Sequence, residues 1–114
     1  LTINISSPNT PGLRQLQDEA ALRELLAAVR EARAGGGPPV FLKVAPDQGE
    51  EEPRQIVRAA IDHGIEALIV GNTTVSRPPL RSRFAGEAGG LSGAPLKPLA
   101  LETLKRFRSE TGGQ

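Results

Sequence analysis

Short apolar runs alternate with amphipathic stretches along this chain, and no other feature constrains its fold as tightly. Leu1 to Ile5 alternates aliphatic and polar residues as a strand does. Val40 to Ala45 is almost continuously apolar, as expected of a parallel strand covered on both faces, and Lys43 interrupts it. Ala67 to Val70 is a third run of the same kind. Between the first two, Glu19 to Ala34 places Leu22, Leu25, Leu26 and Val29 at i, i+3, i+4 and i+7, one apolar stripe of a helix. Gly35-Gly36-Gly37-Pro38-Pro39 stops it. A second helix opens at Glu50, Glu51, Glu52 and Pro53, where acidic side chains and a proline suit a helix N-terminus. Its apolar members are Ile56, Val57, Ala60 and Ile61, and Gly64 is placed to cap its end. A Gly-, Pro- and Arg-rich loop from Val75 to Pro98 precedes a last helix near Leu99 to Thr111, with Leu101, Leu104 and Phe107 as its expected core contacts.

Strand and helix in strict alternation make βαβ units, so the class is α/β with parallel strands. Either part of a (β/α)8 TIM barrel or an open doubly wound sheet fits, and in both folds ligands bind at the carboxyl ends of the strands. Three or four βα units are too few to close a barrel. The chain also starts at Leu1 inside a strand and ends in Gly112-Gly113-Gln114, which reads as an internal segment of one larger domain.

Composition narrows the chemistry. A net charge of +1 and three Phe as the only aromatics give neither the basic surplus nor the stacking residues of a nucleic-acid binder. With no Cys and one His, disulfides, thiolate nucleophiles, Cys-ligated zinc and iron–sulfur clusters are excluded. No apolar run approaches the roughly 20 residues of a membrane helix.

Three groups of polar residues fall at or just after the ends of the expected strands. The first is Asn4-Ile5-Ser6-Ser7-Pro8-Asn9-Thr10-Pro11-Gly12-Leu13-Arg14, where Pro8 and Pro11 stiffen the backbone under Ser7, Asn9 and Thr10. A plain turn has the same composition. The second is Lys43, which strand alternation puts on one face with Phe41 and Ala45. An ammonium in an apolar layer is costly without an anion or electron-rich acceptor, although a lysine at a strand end can also reach out to water. The third is Asn72-Thr73; Asn4 and Asn72 offer the donors and acceptor that suit a flat ring with amide edges, and strand-end capping is the simpler role for both. Ser7 could be a nucleophile or a base, but a serine nucleophile needs a neighbouring base. His63 sits late in the second helix, away from the strand carboxyl ends, and reads as a surface or helix-end residue. Gly86-Glu87-Ala88-Gly89-Gly90-Leu91-Ser92-Gly93 permits close backbone approach to a ligand but equally reads as a flexible linker. Arg77, Arg81 and Arg83 could meet a phosphate or an acidic partner, or simply face solvent.

The Asn4–Arg14 stretch, Leu42-Lys43-Val44-Ala45-Pro46-Asp47, Val70-Gly71-Asn72-Thr73-Thr74 and Gly89-Gly90-Leu91-Ser92-Gly93, in this order and spacing, resemble the class 2, quinone-linked dihydroorotate dehydrogenases. The resemblance covers essentially the whole chain. It implies an FMN-containing (β/α)8 barrel that oxidises dihydroorotate to orotate in pyrimidine synthesis and passes electrons to a quinone. It implies an enzyme held peripherally on an inner membrane, bacterial or mitochondrial, with the membrane contact made by regions outside this segment. Carried over by position, Ser7 is the base that takes a proton from C5 while hydride leaves C6 for flavin N5, and Thr10 relays that proton outward. Asn4, Asn9, Asn72 and Thr73 hold the pyrimidine, and Asn4 also lies close to the flavin. Lys43 stands beside the flavin N1/O2 edge, and Gly93 and Gly71 let backbone approach FMN, although Gly71 replaces a common Thr. The class 1 enzymes carry Cys where Ser7 stands, so the lack of Cys selects the subclass. Thr10 to Asp18 is the expected lid. The family's phosphate loops follow later strands, so the 114-residue piece alone is expected to bind FMN weakly or not at all. Two other readings are another FMN barrel oxidoreductase acting on a related pyrimidine, and a non-catalytic interaction module.

Overall fold

A computed structural model of the chain describes residues 1–113. Three parallel strands, β1 (Thr2–Asn4), β2 (Phe41–Val44) and β3 (Ala67–Val70), lie side by side in chain order. Three helices connect or follow them: α1 (Glu19–Ala32), α2 (Glu52–Asp62) and α3 (Lys97–Glu110). Asp18 starts α1 by accepting the Ala20 N–H at 3.2 Å, a local N-cap. Pro53 occupies the first turn of α2, where its missing N–H leaves no hydrogen bond unmade. Gly64 ends α2 at φ 71°, a conformation that a side chain would strain.

The register fixes the faces of the sheet. Ile3 pairs with Leu42 and Leu42 with Leu68, and this row turns toward the helices. Leu42 and Val44 pack there with Ile5, Leu22, Leu26, Ile56 and Phe107, all fully or almost fully buried. Each such aliphatic side chain removed from water contributes about 1.5–3 kcal/mol, so this layer holds the sheet to α1 and α2. The opposite row runs Asn4–Lys43–Ile69. Among the described residues nothing covers that face as the helices cover the first: Phe41 is 37% exposed and Lys43 half-buried. The strand expected to be covered on both faces is therefore covered here on one.

Two helix assignments need correction. In α3, Leu101 and Leu104 are half-exposed and only Phe107 is in the core. The inward face is instead the Thr103–Phe107 pair, because Thr103 donates its hydroxyl to the Pro46 carbonyl at 2.8 Å and so orients the helix toward the loop after β2. In α2, Ile61 is exposed and Ala59 takes the buried place.

Candidate active site

Beyond the strands, the last ladder bond is Ile5 N–H to the Lys43 carbonyl at 3.2 Å, and from there side chains hold the three strand ends together. Ser6 is fully buried and stands in the centre of a hydrogen-bonded line. Asn72 Nδ2 donates to Ser6 Oγ at 2.9 Å, and Ser6 Oγ donates to Asn4 Oδ1 at 2.8 Å. The Ser6 backbone N–H reaches the same Asn4 oxygen at 3.1 Å. Asn72 Oδ1 accepts the Thr73 N–H at 2.8 Å. With both carbonyl oxygens used internally, Asn4 Nδ2 stays on the open face as a donor, in register with Lys43 on the neighbouring strand. The Lys43 ammonium makes no hydrogen bond or ion pair among the described residues.

Ser7 follows this line on a stiff turn. Its Oγ accepts the Asn9 N–H at 3.3 Å and the Thr10 hydroxyl at 3.4 Å, while Asn9 and Thr10 are exposed. Two donors aimed at one hydroxyl oxygen favour negative charge on it.

The structure assigns three structural elements that the residue pattern left unassigned. The first is Arg14, whose guanidinium spans all three strand ends: Nε to the Ser6 carbonyl at 3.2 Å, Nη1 to Asp47 Oδ2 at 2.9 Å and Nη2 to the Thr73 carbonyl at 3.0 Å. The second is Asp47, which accepts from Arg14, from the Thr74 and Ser76 hydroxyls and from the Val75 N–H at 3.1 Å. Burial alone raises its pKa, but the hydrogen bonds from Thr74, Val75, Arg14 and Ser76 outweigh that and hold the carboxyl below its ordinary value. The third is Gln17, whose Oε1 accepts from the Ala45 N–H and from Gln48 Nε2 at 3.1 and 2.9 Å. Arg14 and Gln17 thus pin the short 3-10 helix Leu13–Gln17 to the strand ends, and of the stretch expected as a lid only its start is untethered by such bonds. Arg14 stands inside the sequence motif, but a guanidinium with three acceptors on three strands is visible only once the strands are adjacent.

The glycine-rich segment is a docked loop, not a linker. Leu91 and Thr74 form an antiparallel bridge with N–H···O distances of 3.0 and 2.8 Å. This seats Gly90 so tightly that a Cβ there would overlap Thr73 Oγ1 and lie 2.9 Å from Pro8 Cγ. A Cβ on Gly89 would lie 3.5 Å from Asn9 Oδ1. Arg77 is exposed, and its guanidinium donates to the carbonyls of Glu87 and Gly89 at 3.1 and 2.6 Å and to those of residues 74–76, which ties it to the glycine-rich loop. Gly93 adopts φ 79° and ψ −159° at the start of the turn leading into α3, a region open to glycine and strained for other residues. Gly71 continues β3 with open space around its Cβ position. His63 lies where the sequence places it, at the end of α2, with Nδ1 2.7 Å from the Ala59 carbonyl.

Comparison with known proteins bears on the family and the fold. The family profile described as dihydroorotate dehydrogenase matches residues 1–114. A dihydroorotate dehydrogenase (quinone) of Erythrobacter litoralis is 66% identical over 113 residues, covering 99% of this chain and 33% of that protein. One from Novosphingobium aromaticivorans is 61% identical over 113 residues, covering 99% and 32%. The crystal structure of the Eimeria tenella enzyme in complex with ferulenol superposes with a TM-score of 0.92 at 39% identity, over 100% of this chain and 36% of that one. The chain thus spans about a third of the length of the curated relatives it matches. Its three strands and helices are part of a (β/α)8 barrel, and the open face of the sheet is the side that such a barrel turns inward. The chain belongs to the dihydroorotate dehydrogenase family.

Proposed function

We propose that residues 1–114 form the base-bearing part of the catalytic domain of a quinone-linked dihydroorotate dehydrogenase, oxidising dihydroorotate to orotate. One observation carries this reading: Ser7 Oγ, accepting from Asn9 and Thr10, sits on the same rim as the Asn4–Ser6–Asn72 line. A proton acceptor and a row of amides suited to a pyrimidine are therefore side by side. The residues present also fit a flavin. Lys43 offers an ammonium without a protein partner on the open face, Asn4 Nδ2 is a free donor beside it, and Gly93 holds backbone in a conformation that a side chain would not share. FMN, the flavin of this reading, supplies when bound the two-electron acceptor for a hydride.

The chain's own residues perform the proton chemistry. Ser7 takes the C5 proton at Oγ as its own hydroxyl proton leaves for Thr10, whose hydroxyl, a donor to Ser7 at rest, turns to accept it and gives up its own proton to the solvent it faces. The Asn9 N–H steadies the charge that develops on Ser7 Oγ. Asn9, Asn72, Thr73 and Asn4 orient the substrate ring, and Lys43 supplies positive charge on the inward face. Serine is a weak base in water, so the preorganised donors around it carry the step, and the docked Gly89–Gly90 segment, which packs on Asn9, Thr73 and Pro8, helps hold them in place. Gly71 lets backbone approach the cofactor at the end of β3. The quinone acceptor follows the relatives' name, and the peripheral inner-membrane location belongs to the same proposal, with the membrane contact assigned to regions outside these residues. No helix among the described residues is long and apolar enough to cross a membrane.

Stopped-flow reduction of the flavin in the full-length enzyme, without oxygen, tests this. Dihydroorotate reduces the wild type rapidly and dihydrouracil does not, and Ser7→Ala slows the reaction by ~10²–10⁴-fold, the usual contribution of a general base. An unchanged rate in Ser7→Ala removes the role given to Ser7, and equal rates with the two pyrimidines point to a different substrate.

A further inference from the structure

Backbone pairing cannot set the distance between the base and the ring-holding residues. The ladder between β1 and β2 ends at Ile5, and Ser6–Ser7 and Asn72–Thr73 follow strands that are not neighbours in the sheet. Among the described residues two hydrogen-bonded ties cross that gap. One is Asn72 to Ser6 Oγ, made by a side chain that the proposed substrate also engages. The other is Arg14, which belongs to the structure alone: its donors go to the Ser6 carbonyl, immediately before the base, to the Thr73 carbonyl and to Asp47. Asp47 extends the tie, since its two oxygens also hold Thr74, Val75 and Ser76. Arg14 and Asp47 are both largely shielded, with 23% and 18% of their side chains exposed, so the pair is less screened than a surface ion pair.

We propose that Arg14 and Asp47 are positioning residues of the catalytic site, a clamp that fixes Ser7 relative to Thr73 and thereby sets the rate of proton removal. The inference rests on the reading of Ser7 as the base. A guanidinium is required because its planar fork addresses acceptors in three directions, which a lysine ammonium at the end of a flexible stem cannot hold at once. Arg14→Lys therefore keeps the charge and loses the geometry.

The experiment is a double-mutant cycle in the full-length, FMN-loaded enzyme, with flavin reduction by dihydroorotate as the readout. Arg14→Lys is expected to lower the limiting rate by roughly 10- to 100-fold, as a small misplacement of a reacting group does. In the Ser7→Ala background the same substitution should cost no more than about 2-fold, because the group it positions is gone. Full multiplication of the two penalties would show a merely structural contribution and overturn the proposal. If Arg14→Lys does not load FMN, Asp47→Asn, which keeps the shape and removes the charge, takes its place in the cycle and is judged in the same way. A wild type that dihydroorotate does not reduce defeats the reading of Ser7 itself, and this inference with it; a normally reduced wild type with multiplying penalties defeats the clamp alone.

Discussion

The two rims of this sheet use the same residue types to different ends. At the amino-terminal rim Arg33 pairs with Glu66 at 3.0 Å, and on the outer helix layer Arg23 pairs with Asp62 at 2.8 Å and with Glu19 at 3.1 Å. Glu66 also accepts the Val40 N–H at 2.7 Å, and His63 meets the Ala59 carbonyl. The Arg23 pairs tie helix to helix and turn to turn with half-exposed partners, whereas Glu66 links the shielded Arg33 to the backbone just before β2. At the carboxyl-terminal rim, Arg14 and Asp47 bond mainly to backbone and hydroxyl groups of loops that leave all three strands. The difference is one of valence and cover. An ion pair between two exposed side chains adds little order, whereas a shielded guanidinium and carboxylate with several partners fix the relative places of several loops. A barrel needs that order at the rim where its chemistry takes place.

Above every other substitution in expected effect stands Ser7→Ala, which removes the proposed base outright. Next comes the docked glycine loop, where the contrast can be broken by one methyl group. Gly90→Ala places a Cβ against Thr73 and Pro8, both at the carboxyl rim. Overpacking displaces Thr73 or opens the Thr74–Leu91 bridge, and kcat/KM for dihydroorotate in the full-length enzyme should fall by about 100-fold. Gly86→Ala, in the same loop but with open space around its Cβ position, should stay within about 2-fold of wild type. Equal effects at the two glycines would mean that the loop is a linker after all.

A smaller effect separates the rims by pH and salt. Asp47 has its carboxyl held below the ordinary value, so it contributes stability that is present above that range, from about pH 4 upward, and is lost as the pH falls through the lowered folded pKa. Asp47→Asn should lower the thermal midpoint of the full-length enzyme at pH 7, and the gap to wild type should close as the pH falls below about 4. Asp62 is lowered too, chiefly by its hydrogen bond from Arg23, but it is solvent-exposed. Salt near 1 M, where the screening length is ~3 Å, should erase the Asp62 contribution and leave most of that of Asp47. A gap at Asp47 that is independent of pH would show that its charge is not what holds the loops.

Much of this fold is written in periodicity. Leu22 and Leu26 on α1, Ile56 and Val57 on α2, and the three apolar runs fall where the spacing of apolar residues places them, because burial of one face is what makes those elements form. The errors lie in α2 and α3. Leu101 and Leu104 carry the right spacing, yet the inward face of α3 is chosen by a polar contact, Thr103 to the Pro46 carbonyl, which no apolar pattern encodes, and in α2 Ala59 is buried where Ile61 is exposed. The site was legible as a set of strand-end residues, and the rim does gather Asn4, Ser7, Asn72 and Thr73. What the pattern could not show was tertiary. Arg14 finds partners far along the chain, Arg77 spends its donors on carbonyls, and Gly90 is small because Thr73 and Pro8 press on it.

The smallest expected effect lies on the outer helix layer, and it guards the comparison against a general loss of stability. Arg23→Ala removes two ion pairs at once, more formal salt bridges than Arg14 makes. If counting ion pairs were the right measure, this variant should be the more damaged. Each of its partners is well exposed, however, and the side chains give up rotamer freedom to meet in water, so their net worth is near the bottom of the scale. The full-length Arg23→Ala enzyme should melt within about a degree or two of wild type, and dihydroorotate should reduce its flavin at a rate within about 2-fold. A drop in reduction rate as large as that of Arg14→Lys, without loss of bound FMN, would mean that the ion pairs of the helix layer also set the geometry of the proposed base Ser7, and the contrast with the Arg14 clamp would fail.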